Sequence, residues 1–432
     1  MKKAKSTKRK LSNNLEKARK VSENLIGMYL DDYEETPWEA LKYLVAGVNY
    51  GGHVTDDFDR RLLMTYINDF FCDACLDTPY FKLSTLPTYY IPKDGTLQSY
   101  REYISMLPNI DHPEAFGQHP NADIASQIIE TKNLFDTLLS LQPQVASVGG
   151  AGQTREQKVL DLAADVLKRV PEEIDYEQTA KIMADDPSPL NVVLLQEISR
   201  YNKLLATIKS SLIELERGIK GLVVMSSDLE ETFNCIYDVR VPPLWGKAYP
   251  SNKALANWTR DLVHRVDQFA KWASTAHQPV IFWLSGFTFP TGFLTAVLQT
   301  SARQNNISVD TLSWEFTVST VDDSNITQYP KDGVWVRGLY LEGAGWDKKN
   351  AALIEADPMQ LVCPIPTIHF KPVENKKKTG KGIYSCPCYY YPNRAGTSDR
   401  ASYIVSVDMK SGAMMADHWV KRGTALLMSL DY

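Results

Sequence analysis

The chain has 432 residues, 44% hydrophobic and 23% charged, which is enough material for two or three domains with real cores. No apolar run approaches the roughly 18 residues that span a bilayer, and the first residues lack the apolar stretch of a secretory signal. The net charge of −5 is uneven: residues 1–20 hold nine Lys or Arg and one Glu, leaving 38 basic and 51 acidic residues, about −13, in the rest. A body that acidic argues against a nucleic-acid partner, and nothing points to a membrane partner.

In chain order, the basic head (1–20) reads as a solvated, disordered end or as a tail that touches an acidic surface; the first reading is preferred. TPWE at 36–39 has the letters of a capping box with Pro at the first helical position. Ala40, Leu41, Leu44, Val45 and Val48 then form a helical apolar face. In NYGGHVTDDFDRR (49–61), Gly51 and Gly52 read as a left-handed helix stop and Thr55 as the N-cap of the next helix. Asp56, Asp57 and Asp59 fall in its first turn, where the helix dipole favours negative charge. Phe58, Leu62, Leu63, Tyr66, Ile67 and Phe70 continue at helical spacing. A third helix is expected over 121–141, facing inward through Ile124, Ile128, Phe135 and Leu138.

The linker QPQVASVGGAG (142–152) precedes a second capping box, TREQ at 154–157, and a helix lined by Val159, Leu162, Val166 and Val170. Leu194, Ile198, Tyr201, Leu205, Ile208, Leu212, Leu215, Ile219 and Leu222 make a heptad seam. A free coiled coil and a long helix inside a bundle both fit it; the bundle is preferred because globular sequence follows Gly221. A helix at 252–272 is lined by Leu255, Trp258, Leu262, Val266 and Phe269. From 280 onward short strands dominate, at 280–284, 311–320, 333–341, 359–369, 383–391, 403–407 and 423–430, with a short helix at 292–301. Five or six antiparallel strands after 305, with no obvious second sheet, suggest a small barrel. The fold class is therefore α+β, a helical part followed by a small antiparallel β-barrel.

Little in the sequence suggests chemistry. No stretch carries the Walker A spacing; TGKG at 379–382 has only a fragment of its letters, and Gly150 with Gly152 lacks the third glycine of a dinucleotide loop. Asp185–Asp186 and Asp322–Asp323 are adjacent pairs in loops, solvated or capping. Cys72 and Cys75 form a C-x-x-C, but zinc needs a second pair at suitable spacing, and Cys386 with Cys388 is not the usual one, so no metal site is assigned. Cys235 and Cys363 read as core positions, and all six thiols are expected to be reduced. The residues alone point to a scaffold or interaction module without catalytic residues.

Several stretches resemble one family. EETPWEALKYL at 34–44 with NYGGHVTDDFDRRL at 49–62 resembles the lid of the sixth AAA+ module of dynein heavy chains, and FGQHPNAD at 116–123 resembles a dynein signature. VPPLW (241–245), WLSGFTFP (283–290), GVWVRGLYLEG (333–343), CPCYYYP (386–392) and HWVKRGTALL from 418 resemble the C-terminal domain, closest to axonemal inner-arm heavy chains. The resemblance implies a lid at 21–110 and a C-terminal domain at 111–432, helical over 111–275 and barrel over 305–432. It also implies a non-catalytic end segment of an ATP-driven, minus-end-directed motor in the cytoplasm and ciliary axoneme. Its partners would be the rest of the AAA+ ring, dynein intermediate and light chains, and microtubules through the parent motor. ATP and magnesium would sit in the parent motor, with no cofactor in this segment. Arg60 and Arg61 resemble an AAA+ lid arginine reaching a neighbouring module's phosphates; ion pairing at a module interface is the preferred reading. Residues 1–20 do not look like what precedes VSEN (21–24) in the family, so a truncated product, a partial gene model or an alternative start is expected. A stand-alone protein-interaction module is the alternative function.

Overall fold

The computed structural model describes residues 2–141, 154–184, 187–249, 251–376, 380–390 and 402–428. The expected linker at 142–152, with Gly150 and Gly152, lies outside them, as do Asp185–Asp186, residues 377–379, and Tyr391–Pro392 of the CPCYYYP motif.

In chain order the helices are α1 (Lys2–Asp32), α2 (Trp38–Lys42), α3 (Asp57–Phe70), α4 (Ala74–Asp77), α5 (Leu97–Met106), α6 (Asn121–Leu141) and α7 (Arg155–Arg169). They continue with α8 (Tyr176–Ile182), α9 (Pro189–Ile219), α10 (Ser227–Tyr237), α11 (Pro243–Gly246), α12 (Leu255–Thr275), α13 (Pro290–Asn305) and α14 (Ala416–Lys421). The molecule forms two compact units: residues 1–131 with 356–361 and 413–424, and residues 132–355 with 362–412 and 425–432.

The first unit is helical. Its α1 runs through the basic head, where the sequence suggests disorder. The head is rich in Lys, Arg and other good helix formers and has no Gly or Pro, so helix propensity outweighs like-charge repulsion there. Ala18 and Ser22 of α1 are buried, and Asn49 Nδ2 donates to Ser22 Oγ at 3.1 Å. The capping box at Thr36 does not form: Pro37 is the N-cap and no side chain caps α2. Instead α2 passes into π-helical turns over Tyr43–Tyr50. The wider π turn shifts the register of the apolar face, so Leu41 and Val45 are buried while Val48 is exposed. On α6, Ile128, Phe135 and Leu138 are exposed rather than inward-facing. Periodicity marks an apolar face but cannot say whether anything covers it.

The second unit is built on α9. Leu194, Ile198, Tyr201, Leu205, Ile208 and Leu215 are completely buried and Leu212 nearly so, as a helix inside a bundle requires. The seam ends earlier than its letters, since Leu222 is exposed. Around α9 pack α7, α8, α10, α11, α12 and α13. Thr154 caps α7 by accepting from Gln157 N at 3.2 Å, as its sequence implies. Trp245, Tyr249 and Trp258 stack at 6.0 and 5.6 Å, and Trp245 Nε1 donates to Ser211 Oγ of α9 at 3.0 Å. The fully buried Glu197 on α9 accepts from Thr288 N at 2.8 Å, Phe289 N at 3.2 Å, Thr288 Oγ1 at 3.0 Å and Arg200 Nη1 at 2.8 Å. These amides lie just ahead of α13, which lacks a cap from its own sequence, so Glu197 acts as its cap from another helix. On α12, burial works to raise the Asp261 carboxyl, but Arg265 and Lys253, at 2.6 and 2.9 Å, outweigh it and hold it below the usual range.

The strands are β1 (Ile281–Trp283), β2 (Leu312–Val318), β3 (Val334–Arg337), β4 (Tyr340–Glu342), β5 (Gly345–Asp347), β6 (Ala352–Ile354), β7 (Val362–Pro364), β8 (Ile368–Glu374), β9 (Ile383–Tyr389), β10 (Tyr403–Lys410) and β11 (Ala425–Leu427). They form two sheets where one was expected, a four-stranded β1-β3-β8-β2 and a seven-stranded β5-β6-β10-β9-β11-β4-β7. The end strands β5 and β7 of the larger sheet come together, so it nearly closes into a barrel. Its pairing is mainly antiparallel, with parallel joins at β6–β10 and β9–β11. The run expected as one strand at 333–341 is divided between the sheets at Gly338, whose φ of +83° turns the chain. Five of the seven barrel strands, β4, β5, β6, β7 and β11, have only three residues, too few for alternation to show.

Replacing Glu197 with Ala leaves buried amide donors and Arg200 without their acceptor. We expect a loss of about 3–5 kcal/mol in urea or guanidinium unfolding of the purified protein. A loss under about 1 kcal/mol, the scale of one ordinary hydrogen bond, would remove Glu197 as the cap of α13.

Candidate functional site

The corner at 49–61 is built differently from its sequence reading. Gly51 is not left-handed: its φ is −63°, and with Gly52 and His53 it forms a right-handed 3-10 turn. Glycine is required by close approach, because a Cβ on Gly51 would lie 2.2 Å from the Ala46 carbonyl oxygen, whereas a Cβ on Gly52 meets nothing within 4 Å. Asp56, not Thr55, caps α3, its carboxylate accepting from Phe58 N at 2.8 Å and Asp59 N at 3.2 Å. Asp57 and Asp59 occupy the first turn as expected. Partial burial, with the neighbouring Asp56 charge, raises the Asp59 carboxyl above its ordinary value. The exposed Arg60 turns back to donate to the Val54 carbonyl at 3.0 Å. The half-buried Arg61 lies over the Phe58 ring, 5.0 Å from its centre.

Further along α3 three distant stretches of sequence meet. Asp69 pairs with Lys421 of α14, 352 residues away, and Tyr66 Oη donates to the Phe116 carbonyl. Arg422 Nη1 donates to the Gly117 carbonyl at 3.1 Å. Gly117 ends a 3-10 turn over Pro113–Phe116 with φ +76°, and a Cβ there would lie 3.0 Å from Lys421 Cβ. Asn121, almost fully buried, donates to the carbonyls of Asp357 and Gln360 at 2.9 and 3.0 Å and accepts from Met359 N at 2.8 Å. Within the FGQHPNAD motif, Asn121 thus holds backbone with its side chain, while the carbonyls of Phe116 and Gly117 are held by Tyr66 and Arg422. A groove of about 540 Å³ lies here, lined by Tyr66, Asp69, Phe81, Glu114, Phe116 and His418.

The polar links alone cannot close such loops. Bringing together ends 352 residues apart costs about 5 kcal/mol of chain entropy plus a constant, while a half-exposed ion pair gives about 0–1 kcal/mol. Burial of Trp419 and Val420 on α14 must supply most of the balance, at about 1.5–3 kcal/mol per large apolar side chain. The polar contacts then set the register of pieces already held by packing.

The other sites hold little that can react. A cavity of about 360 Å³ in the second unit is lined by Ser188, His277, Ser301, Tyr329 and Asp332. Several of its polar groups are engaged within the protein: Asp332 accepts from Ser301 Oγ and Gly333 N, and Tyr329 donates to the Gln278 carbonyl. Asp322 precedes a 3-10 turn, and Asp323 accepts from Thr367 Oγ1 at 2.5 Å. Among the described residues, no three His, Cys, Asp or Glu side chains gather as metal ligands. No described helix is long and apolar enough to cross a membrane. Cys235, Cys386 and Cys388 are buried, and burial pushes the Cys388 thiol up; Cys363 is half-buried rather than core. The tie residues Tyr66, Asp69, Lys421 and Arg422 do not stand out individually in the sequence, although the last two lie in the HWVKRG motif. Ordinary charged and aromatic types carry no sign of partners hundreds of residues away.

Comparison with known proteins identifies both parts. The family described as Dynein heavy chain AAA lid domain matches residues 15–122, and the family of the C-terminal domain of dynein heavy chains matches residues 128–428. The protein is 73% identical over 411 residues to Dynein axonemal heavy chain 2 of Homo sapiens, covering 95% of its own length and 9% of that relative. It is 54% identical over 411 residues to the Dynein-1-beta heavy chain, flagellar inner arm I1 complex, of Chlamydomonas reinhardtii, with the same coverage of each. The sequence therefore spans about 9% of the length of these relatives.

Two adjacent glycines should behave oppositely. Gly51→Ala should lower unfolding stability by about 1–3 kcal/mol, because backbone must shift. Gly52→Ala should be neutral or stabilise by up to about 1 kcal/mol through a stiffer unfolded chain. Lys421→Met should raise amide hydrogen exchange at 113–117 and along α3 while leaving the exchange of α9 unchanged. Uniform change across both helices would contradict a local tie.

Proposed function

The chain belongs to the dynein heavy chain family, and from that membership we propose that it serves as the C-terminal structural segment of an axonemal, inner-arm heavy chain resembling type 2. In this reading the lid and C-terminal domain brace the AAA+ ring of an ATP-driven, minus-end-directed microtubule motor in the cilium or flagellum. ATP and magnesium are handled by the parent motor, and intermediate chains, light chains and microtubules are partners of the whole motor rather than of a pocket in this segment. Arg60 and Arg61 take part in ion pairing at a module interface, without a phosphate contact. One observation supports a bracing role above all: the residues that meet at α3, Asp69 with Lys421 and Gly117 with Arg422, tie segments about 300 residues or more apart in the sequence.

A second reading, an independent interaction module, draws support from the stretch Leu222-Val223-Val224-Met225 after α9. All four side chains are exposed, Val224 at 88%.

The purified protein should neither hydrolyse ATP above background nor gain thermal stability from ATP with magnesium. Mixed with a separately expressed ring of the same heavy chain, it should co-elute in equal amounts. Measurable turnover would overturn the non-catalytic reading. Failure to bind the ring, together with stable binding to a dynein-free partner, would favour the second.

A further inference from the structure

The C-x-x-C at the end of α3 belongs to no cluster of three metal-ligating side chains among the described residues and takes no part in the bracing contacts, and its geometry suits another chemistry. Cys75 N donates to the Cys72 carbonyl at 3.1 Å, closing a tight turn, and Asp73 within it has helical angles of φ −55° and ψ −35°. Such a turn keeps its first and fourth Cα atoms within about 7 Å, and disulfides need about 4.4–6.8 Å. Both thiols are half-buried, so they are open to a small reagent, unlike the buried Cys235, Cys386 and Cys388. Cys72 Sγ sits 3.6 Å from the Asp69 carbonyl, a weak contact that a side-chain rotation releases. We infer that Cys72 and Cys75 form a reversible dithiol–disulfide pair that exchanges with low-molecular-weight disulfides of the glutathione type.

The step balances without a metal or an electron carrier. One cysteine loses its proton and attacks a sulfur of glutathione disulfide; a protein–glutathione disulfide forms and one glutathione thiolate leaves. The second cysteine, deprotonated in turn, attacks the protein sulfur of that mixed disulfide and expels the second glutathione thiolate. The thiolates take up the two protons, so two protein thiols are oxidised and one glutathione disulfide is reduced to two glutathiones.

The turn is also wired to its surroundings. Asp73, between the two cysteines, accepts from Trp38 Nε1 at 2.5 Å, and Trp38 meets Phe71 edge to face at 6.3 Å. Cys72 lies three residues after Asp69, the partner of Lys421. Closing the disulfide therefore reshapes the environment of Trp38 at the start of α2 and the end of α3 that carries the tie to α14.

The test uses the whole 432-residue chain in graded mixtures of reduced and oxidised glutathione, followed by peptide mass mapping. The peptide holding Cys72 and Cys75 should lose two hydrogens as the mixture becomes oxidising and regain them with dithiothreitol. Cys72→Ser and Cys75→Ser should each stop at one glutathione adduct. Trp38 emission, isolated by subtracting a Trp38→Phe variant, should shift with the same midpoint. Thiols that stay reduced, a wild-type glutathione adduct that never closes, or a bond from either cysteine to another part of the protein would each overturn the inference. If the serine variants do not fold, the wild-type mapping decides alone.

Discussion

The buried face of α9 is the constraint on which the larger unit depends. Leu194, Ile198, Tyr201, Leu205, Ile208, Leu212 and Leu215 are withdrawn from water along one stripe, each worth about 1.5–3 kcal/mol. A stripe that long has to be covered on several sides, and α7, α10, α12 and α13 do so. The same helix also carries the charge that starts α13. A carboxylate as buried as Glu197 is tolerable only because it accepts several hydrogen bonds, and those bonds fix where α13 begins. Hydrophobic burial thus decides that the bundle forms, and one polar group decides its register.

The smaller unit has the opposite character. Many of its helices are half-exposed, and its integrity depends on segments from far along the sequence. The ties at Asp69, Gly117 and Asn121 gain their value from packing that has already met the entropy of loop closure. A displacement of α14 must therefore move α3 or break several contacts.

Legibility in the sequence follows the range of the interactions. Long local patterns are clear: α7 with its Thr154 cap, the α9 seam, α12, and the helical spacing of α3 and α6, although the expected inward face of α6 is largely exposed. The failures arise where a non-local partner or an unusual turn intervenes. Gly51 is glycine because the Ala46 carbonyl crowds it, which no helix-stop pattern reveals. Asp56 rather than Thr55 caps α3, since two adjacent residues of capping type compete and backbone geometry chooses between them. Among the three-residue strands of the barrel, β4 and β7 pair across β5 and β6 in the sequence and β6 and β11 also join parallel neighbours, which leaves only β5 with β6 as a local hairpin. At the candidate site, FGQHPNAD and HWVKRG are visible as separate labels, yet nothing in either says that Gly117 and Arg422 touch.

Period and composition were sufficient for the α+β class and for the helical first part and strand-rich second part, motif spacing for the lack of a recognisable nucleotide loop, and the family was legible only as the resemblance of several short stretches to known members. All of these are written locally, within a few turns of helix or one short motif. Folding in three dimensions settled the rest: two sheets form instead of one, Glu197 caps a helix from another helix, and residues 352 apart meet at α3. Pairing across such separations is selected by shape and by the satisfaction of buried polar groups. Those properties belong to the assembled surfaces, and no single stretch of sequence contains them.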